Sequence, residues 1–236
     1  GYGTAEAAAR HPRIPAGAVV TGERQEGEHA VIEVELRTGR VAGDVMYTMA
    51  IPGRHMVLNS AAALLAGTLV GADPAKLAQG LSEFTGVRRR FEFKGDVDGI
   101  RVYDDYAHHP TEVDAVLTAA RDKVGAEGKG GRVIVCFQPH LYSRTREFAS
   151  EFAAALSLSD ECILLDIYGA RETPVEGVTS RIIAEQMTVP VRLEPDFSAA
   201  PATVASVAKP GDLVLTMGAG SVTLLADEIL DALREA

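Results

Sequence analysis

The 236-residue sequence is poor in cysteine and carries too little positive charge to balance its acidic residues. Its two cysteines, Cys136 and Cys162, lie inside apolar runs, a pattern that predicts buried, unpaired thiols in a reducing compartment rather than a disulfide. The formal net charge of -10 argues against DNA or RNA as the principal partner, because binding a nucleic-acid backbone requires clustered Lys and Arg. A nucleotide ligand needs only a few well-placed cations and is not excluded.

Long apolar runs are also absent. No run approaches the length needed to cross a bilayer, and no basic segment followed by an apolar one opens the chain. We therefore expect a soluble, cytoplasmic protein without a membrane partner. The sequence has no initiator methionine either, since it begins at Gly1; an expressed fragment, a cleaved tag and a processed protein would all begin in this way.

What the sequence does contain is enough apolar material, 47% of its residues, to bury one large core or two smaller ones. Near the start, apolar and polar residues alternate over 30–37, which predicts a strand with one buried face. The segment 57–70 is rich in Ala and Leu and predicts a buried helix. Asp73 followed by Pro74 predicts the start of another helix, which ends at Gly86.

From about residue 91, near-continuous apolar strands alternate with amphipathic helices. This order predicts an α/β fold in which a mostly parallel sheet is covered by helices on both faces, and it places a domain boundary near 86–91. The Gly-rich segment 125–131 joins a helix to a strand and predicts a flexible surface turn rather than a phosphate cradle. The predicted strands are IRVYDDY, RVIVCFQ, ECILLDI, VRLE and DLVLTMG. The first predicted helix begins at Pro110, and the second passes through Phe148, Phe152 and Leu156. A third follows Thr179, and a short fourth follows 191–194. The last helix carries Val222, Leu225, Ile229 and Leu233.

Four clusters of polar residues follow the predicted strands. Ligands of open α/β sheets bind beyond the carboxyl ends of the strands, and four polar clusters on that one edge are hard to explain by stability alone. We therefore predict a binding site at this edge. The clusters are 104–110, 138–144, 167–172 and 217–221.

Each cluster also has a purely structural interpretation. Asp104 or Asp105 could cap the helix that begins at Pro110, and His108 and His109 could be solvated loop residues. These alternatives are open at the level of sequence.

Two further features are equally open. The residues 218–220, Gly-Ala-Gly, could bind a phosphate or form a tight turn into the last helix, and the three arginines at 88–90 could be a solvated charge run. The His and Asp residues of 104–109, together with His140, could be read as metal ligands. Their spacing matches no closed zinc pattern, so we expect no metal site there.

Six sequence strings, in a fixed order, resemble one family. The strings are PGRHMVLNSAAAL, GVRRRFEFKG, VYDDYAHHPTEV, CFQPHLYSRTREF, LDIYGARETPVEGV and LTMGAG. The last five resemble the C-terminal domain of the UDP-N-acetylmuramate–L-alanine ligases, a family of Mur ligases, and the first resembles the end of that family's central ATP-binding domain. The resemblance, which runs from about residue 45 to the end, implies that 1–88 completes an α/β ATP-binding domain and that 89–236 is a Rossmann-like C-terminal domain.

The resemblance implies an enzyme that uses ATP and Mg²⁺ to join L-alanine to UDP-N-acetylmuramate through an acyl phosphate. Such an enzyme serves peptidoglycan synthesis, and through it cell-wall biogenesis, cell shape and cell division. A homodimer is left open. For ATP, the resemblance implies the following contacts: His55 and Asn59 near the adenine, Asp105 on the ribose hydroxyls, and Arg90 on the phosphates, with Arg89 as the alternative cation.

For the incoming amino acid, the resemblance implies contacts from Tyr106, His108, His140 and Arg144. A permanently charged group such as Arg144 suits the carboxylate. A neutral imidazole, of His108 or of His140, could accept the ammonium proton, since the amine must be uncharged to attack.

The sequence departs from the family in three respects. Met56 stands where the family often has Asn, near the adenine, and Leu141 stands where some members have Arg, near the amino acid. The UDP-binding domain and the Gly-rich loop ending in GKT or GKS, which holds phosphates and Mg²⁺, are absent. We therefore expect a fragment that is inactive alone, with the main Mg²⁺ ligands upstream. Two rival interpretations stay open: a non-catalytic nucleotide-binding module, and a metal-dependent hydrolase that uses the His and Asp cluster.

Overall fold

A computed structural model describes residues 1–26, 29–39, 41–51, 53–128 and 130–236. Within these ranges the chain divides into two compact units, Gly1–Gly86 and Val87–Ala236. In the described part of the chain, no helix combines the length and the apolar character needed to cross a bilayer.

The first unit contains a four-stranded sheet in the order β1-β2-β3-β4. Strand β1 pairs with β2 in parallel, whereas the other two pairings are antiparallel. The strands are β1 Tyr2–Thr4, β2 Ala18–Glu26, β3 His29–Arg37 and β4 Ala42–Met49. The alternation predicted over 30–37 is confirmed: Ile32, Val34 and Leu36 are buried, while Glu33 and Glu35 are partly exposed.

Three helices accompany this sheet: α1 Ala5–Arg10, α2 Arg54–Leu69 and α3 Pro74–Glu83. The start predicted at Pro74 is confirmed, because the Asp73 side chain accepts a hydrogen bond from the Ala75 amide. The end predicted at Gly86 is wrong, since α3 stops at Glu83. Helix α2 begins three residues before the predicted segment 57–70 and ends at Leu69.

The second unit is built on a six-stranded sheet in the order β5-β6-β10-β7-β8-β9. All neighbours are parallel except β5 and β6, so the predicted mostly parallel sheet is confirmed. The sequence analysis missed β5, because its short run of mixed polar and apolar residues does not resemble a buried strand. The strands are β5 Glu92–Val97, β6 Ile100–Asp105, β7 Val133–Phe137, β8 Glu161–Leu165, β9 Val191–Glu194 and β10 Leu213–Met217.

Helices cover both faces of this sheet, as predicted. One buried cluster contains side chains from α4, α6 and α7, and the other contains side chains from α8 and α9. The helices are α4 Pro110–Glu127, α5 Tyr142–Glu147, α6 Ala149–Leu156, α7 Arg181–Ala184, α8 Ala200–Val207 and α9 Leu225–Glu235. Cys162 lies in the first cluster and Cys136 in the second; both are buried and unpaired, as predicted.

Two helix boundaries differ from the sequence analysis. The single helix predicted through Phe148 is two helices, α5 and α6, which meet at that residue. The predicted turn 125–131 is shorter, because α4 continues to Glu127 and ends with Gly128 in the left-handed conformation that favours glycine at this position. Lys129, in the same segment, lies outside the described residues.

Gly131 lies where two backbones come into close contact, next to the amide of Arg132, which donates to Asp212. A Cβ at Gly131 would lie 2.0 Å from the carbonyl oxygen of Gly211. Because neither backbone segment can give way cheaply, this glycine is required by packing rather than by a ligand.

We predict opposite effects for two alanine substitutions in this segment. Gly131→Ala should lower the free energy of unfolding by about 1–3 kcal/mol, because of the backbone clash. Gly125→Ala should raise it by about 0.5–1 kcal/mol, because Gly125 is helical, nothing lies within 4 Å of the added Cβ, and alanine favours helix. Urea unfolding measures both. A Gly131→Ala variant as stable as Gly125→Ala would contradict the packing described here.

Candidate functional site

The four polar clusters follow four neighbouring strands of the second unit. Strands β6, β10, β7 and β8 lie side by side and parallel, so their carboxyl ends share one edge of the sheet. The chain beyond each strand therefore enters the same region, where ligands of open α/β sheets bind.

The turn after β10 brings the two flanking clusters together. β10 separates β6 from β7, whose backbones are thus roughly 9–10 Å apart. A Cβ at Gly218 would lie 2.7 Å from the Gln138 carbonyl oxygen, and one at Gly220 would lie 2.5 Å from Gln138 Oε1. These contacts favour the interpretation of 218–220 as a tight turn. The turn has no large side chain, and the centres of the His108 and His140 rings lie 6.0 Å apart across it, with an interplanar angle of 71°.

Four aromatic rings form a row along this edge. Tyr106 and His108 lie 5.2 Å apart, with their ring planes nearly perpendicular. His140 stacks on Tyr168 at 5.6 Å with an interplanar angle of 21°. The row joins the ends of β6, β7 and β8 and includes three of the residues singled out for the amino acid, namely Tyr106, His108 and His140.

Asp104 is the most deeply buried charged side chain of the site, with no exposed surface. Its carboxylate oxygens accept hydrogen bonds from the hydroxyls of Thr216, at 2.7 Å, and Thr223, at 2.6 Å. Arg89 Nε lies 3.3 Å from Asp104 Oδ2 but makes no hydrogen bond. Since a buried charge is costly unless it is paired, Arg89 is the cation that compensates Asp104.

Arg89 and Arg90 are neighbours with different environments. The Arg89 guanidinium donates to the carbonyl oxygen of Gly218, at 2.5 Å, and lies 4.7 Å from the centre of the Tyr106 ring. Arg90 is exposed, and within the described residues it forms no ion pair. Arg89 is therefore committed to the protein interior, whereas Arg90 is available to a ligand.

Asp105 is almost fully buried and holds two backbone segments. Its carboxylate accepts hydrogen bonds from the amides of Phe91 and Ala107, both at 2.7 Å. Burial raises the pKa of Asp105 to about 6, against the opposing effect of these hydrogen bonds and of Arg90. These two hydrogen bonds leave part of the accepting capacity of Asp105 unused.

The cap of α4 is His109 rather than either aspartate. The His109 side chain accepts a hydrogen bond from the Thr111 amide, and Glu112 completes a capping box. Glu112 Oε2 accepts from the amides of His108 and His109 at 3.0 and 3.2 Å. Burial raises the pKa of Glu112, but these hydrogen bonds, the His108 ring and Arg90 outweigh it and lower the pKa overall.

Arg144 lies on α5. The N-cap residue of this helix, Leu141, has a positive φ of 74°, and its side chain makes no capping hydrogen bond. Glu172, from the segment after β8, supplies the missing acceptor: it accepts a 2.8 Å hydrogen bond from the Ser143 amide and another from the Ser143 hydroxyl. The hydrogen bonds from Ser143 lower the pKa of Glu172. Arg144 Nη1 lies 3.4 Å from His140 Nδ1.

His55 and Asn59 belong to the first unit, one turn apart on α2. His55 is partly exposed, and Asn59 is exposed. The Asn59 amide lies 3.9 Å from the sulfur of Met56, the residue that departs from the family pattern. Pro52, which begins the corresponding string, lies outside the described residues.

The sequence analysis did not single out Glu112 or Glu172. The spacing from His109 to Glu112 fits a capping box, so Glu112 could have been found. Glu172 lies 29 residues from Ser143, and no local pattern connects the two. In the part of the chain that the structure describes, no group of three or more His, Cys, Asp or Glu residues is arranged to hold a metal ion.

Comparison with known proteins identifies the family. The family model described as "Mur ligase, glutamate ligase domain" matches residues 89–220, more than half of the chain. The chain belongs to the Mur ligase family. The match includes all four rings of the row.

Two curated relatives share one name. The UDP-N-acetylmuramate–L-alanine ligase of Rhodococcus erythropolis is 51% identical, over 100% of this chain and 50% of its own length. That of Saccharopolyspora erythraea is 56% identical, over 89% of this chain and 42% of its own length. The chain thus spans about half the length of the curated relatives it matches.

Solved Mur ligase structures share the fold. The UDP-N-acetylmuramate-alanine ligase of Thermotoga maritima matches with a TM-score of 0.74 at 24% identity, over 94% of this chain and 46% of that chain. A second Mur ligase of the same organism, MurF in complex with ADP, matches with a TM-score of 0.63 at 15% identity, over 99% of this chain and 53% of that chain.

We predict that the two adjacent arginines contribute unequally to stability. Arg89→Ala should lower the free energy of unfolding by about 3–5 kcal/mol, because it leaves the buried Asp104 carboxylate without its cation. Arg90→Ala, which removes the same charge from an exposed position, should change it by less than about 0.5 kcal/mol. Urea unfolding of the 236-residue chain measures both. Equal stability of the two variants would show that Asp104 does not depend on Arg89.

Proposed function

We propose that this chain is the C-terminal half of an ATP-dependent ligase that joins L-alanine to UDP-N-acetylmuramate in peptidoglycan synthesis. The observation that carries the proposal is the identity of 51% along the whole chain to a relative of that name. Residues 1–88 would complete the ATP-binding central domain, and 89–236 would form the domain that receives the amino acid.

The nucleotide contacts are proposed from the family resemblance and from what each side chain has available. Arg90 suits a phosphate group, because its guanidinium is exposed and forms no ion pair with another described residue. Asp105 retains lone pairs for ribose hydroxyls, and the exposed Asn59 amide, with His55 one turn away, suits adenine. The family resemblance implies that the main Mg²⁺ ligands belong to the Gly-rich loop of the complete ligase.

The amino-acid contacts are proposed at the row of rings. Arg144 provides a permanent positive charge beside His140, and a carboxylate is its natural partner. Tyr106, partly exposed at the end of the row, would close one side of the site. With the carboxylate on Arg144, the alanine nitrogen would lie near the two imidazoles, where proton removal is needed.

The chain itself would be inactive, because the sequence contains no GKS or GKT loop to hold the γ-phosphate. The partners of the complete ligase would be ATP, L-alanine and UDP-N-acetylmuramate, in the cytoplasm. A homodimer stays a prediction.

We predict that Arg144→Ala in the complete ligase raises the KM for L-alanine at least tenfold and leaves the KM for ATP nearly unchanged. The loss of one charge-assisted hydrogen bond to the carboxylate corresponds to roughly 1.5–3 kcal/mol. Steady-state phosphate release, with each substrate varied in turn, measures both constants.

Arg146→Ala is the matched control, since Arg146 is an exposed cation on the same helix and should have little effect. If Arg144→Ala raises both KM values equally, Arg144 organises the protein rather than binding alanine. If the complete wild-type ligase releases no phosphate with L-alanine, the proposed function itself is wrong.

A further inference from the structure

The two histidines of the row have opposite hydrogen-bonding environments. An imidazole nitrogen that faces an acceptor must carry a proton, whereas one that faces a donor must offer its lone pair. The neighbours of each Nδ1 therefore define the tautomer of the ring, and with it the chemistry available at Nε2.

His108 Nδ1 faces two oxygen atoms. It lies 3.0 Å from the carbonyl oxygen of Tyr106 and 3.3 Å from Glu112 Oε2. A carbonyl oxygen and an ionised carboxylate only accept hydrogen bonds, so Nδ1 carries the proton. In neutral His108 the lone pair is then on Nε2, which has no hydrogen-bond partner among the described residues.

His140 Nδ1 faces a donor. It lies 3.4 Å from Arg144 Nη1, and a guanidinium has no acceptor. His140 Nδ1 is therefore the acceptor and Nε2 carries the proton. Burial, together with Arg144 and His108, lowers the pKa of His140, with Glu172 opposing, so this ring stays neutral and acts as a donor through Nε2.

We propose that His108, and not His140, removes the proton from the alanine ammonium group, and that Glu112 is the residue that positions His108 for this step. The proposal rests on the proposed function. His108 Nε2 takes one proton from the ammonium group, and the freed nitrogen lone pair forms a bond to the acyl carbon of the muramyl phosphate, while the C=O π pair moves to its oxygen. When the carbonyl re-forms, the C–O bond to phosphate breaks and phosphate leaves with the bonding pair. The second proton of the now positive nitrogen passes to the departing phosphate, which leaves as hydrogen phosphate and gives a neutral amide.

Glu112 suits the positioning role because its carboxylate binds both the backbone and the ring of His108. Oε2 accepts from the His108 amide at 3.0 Å and lies 3.3 Å from Nδ1, which fixes the ring relative to α4. When His108 takes the proton, the adjacent negative charge stabilises the imidazolium. Three other charged or titratable groups surround this pair. The positive charge of Arg90 acts on Glu112. The His140 ring lies beside His108, and Arg144 lies beside His140.

The kinetic test compares two variants of the complete ligase on the same helix. Glu112→Gln keeps an oxygen acceptor for the cap but removes the charge beside His108. We expect kcat/KM for L-alanine at neutral pH to fall about tenfold. The pH profile of kcat/KM should also differ from that of the wild-type ligase, because the negative charge beside His108 has been removed. Asp114→Asn, which removes an exposed charge from α4, should leave both unchanged.

A spectroscopic test needs no activity. Long-range ¹H–¹⁵N NMR spectra of the 236-residue chain, assigned with His108→Gln and His140→Gln, should show the proton of neutral His108 on Nδ1 and that of His140 on Nε2. The opposite pattern would overturn the proposal, even if Glu112→Gln proved too unstable for kinetics.

The outcomes also separate this proposal from the proposed function. A wild-type ligase active with L-alanine, together with a Glu112→Gln variant whose pH profile matches that of Asp114→Asn, would overturn the role of His108 and Glu112 alone. A wild-type ligase inactive with L-alanine would overturn the proposed function and this step with it.

Discussion

The buried carboxylate of Asp104 sets the arrangement of the whole binding edge. It lies at the end of β6 with no exposed surface. It accepts hydrogen bonds from a hydroxyl group on β10 and from another in the turn that follows. Arg89 compensates its negative charge. Arg89 in turn holds the carbonyl oxygen of Gly218 and lies over Tyr106. One charge pair thus links the segment before β5, the turn after β10 and the end of β6, where the row of rings begins.

Around this pair, the ligand-facing side chains are held by acidic residues from neighbouring segments. Glu112 fixes His108 at the start of α4, and Glu172 caps α5, the helix that carries Arg144. Hydrogen bonds lower the pKa of both carboxyl groups. The proposed site is therefore pre-organised by contacts within the protein.

The sequence predicted the parts of the structure that follow from periodicity. The apolar runs of β6, β7, β8 and β10 were found because burial on both sheet faces leaves an unbroken apolar pattern. The helix start at Pro110 was found because proline favours the first position of a helix. Strand β5 was missed because its edge position tolerates polar residues. The long-range contacts, Arg89 with Asp104 and Glu172 with Ser143, could not be predicted, since they depend on which strands become neighbours and no local pattern records that.

The central claim is that alanine binds at the row of rings, with its carboxylate on Arg144 and its nitrogen at His108. The most direct test is a crystal structure of the complete ligase with its alanine-containing product. The account predicts a carboxylate oxygen within about 4 Å of the Arg144 guanidinium, the range of an ion pair, and the new amide nitrogen on the Nε2 side of His108. An alanyl carboxylate bound to another cation, with His108 turned away from the amide, would contradict it.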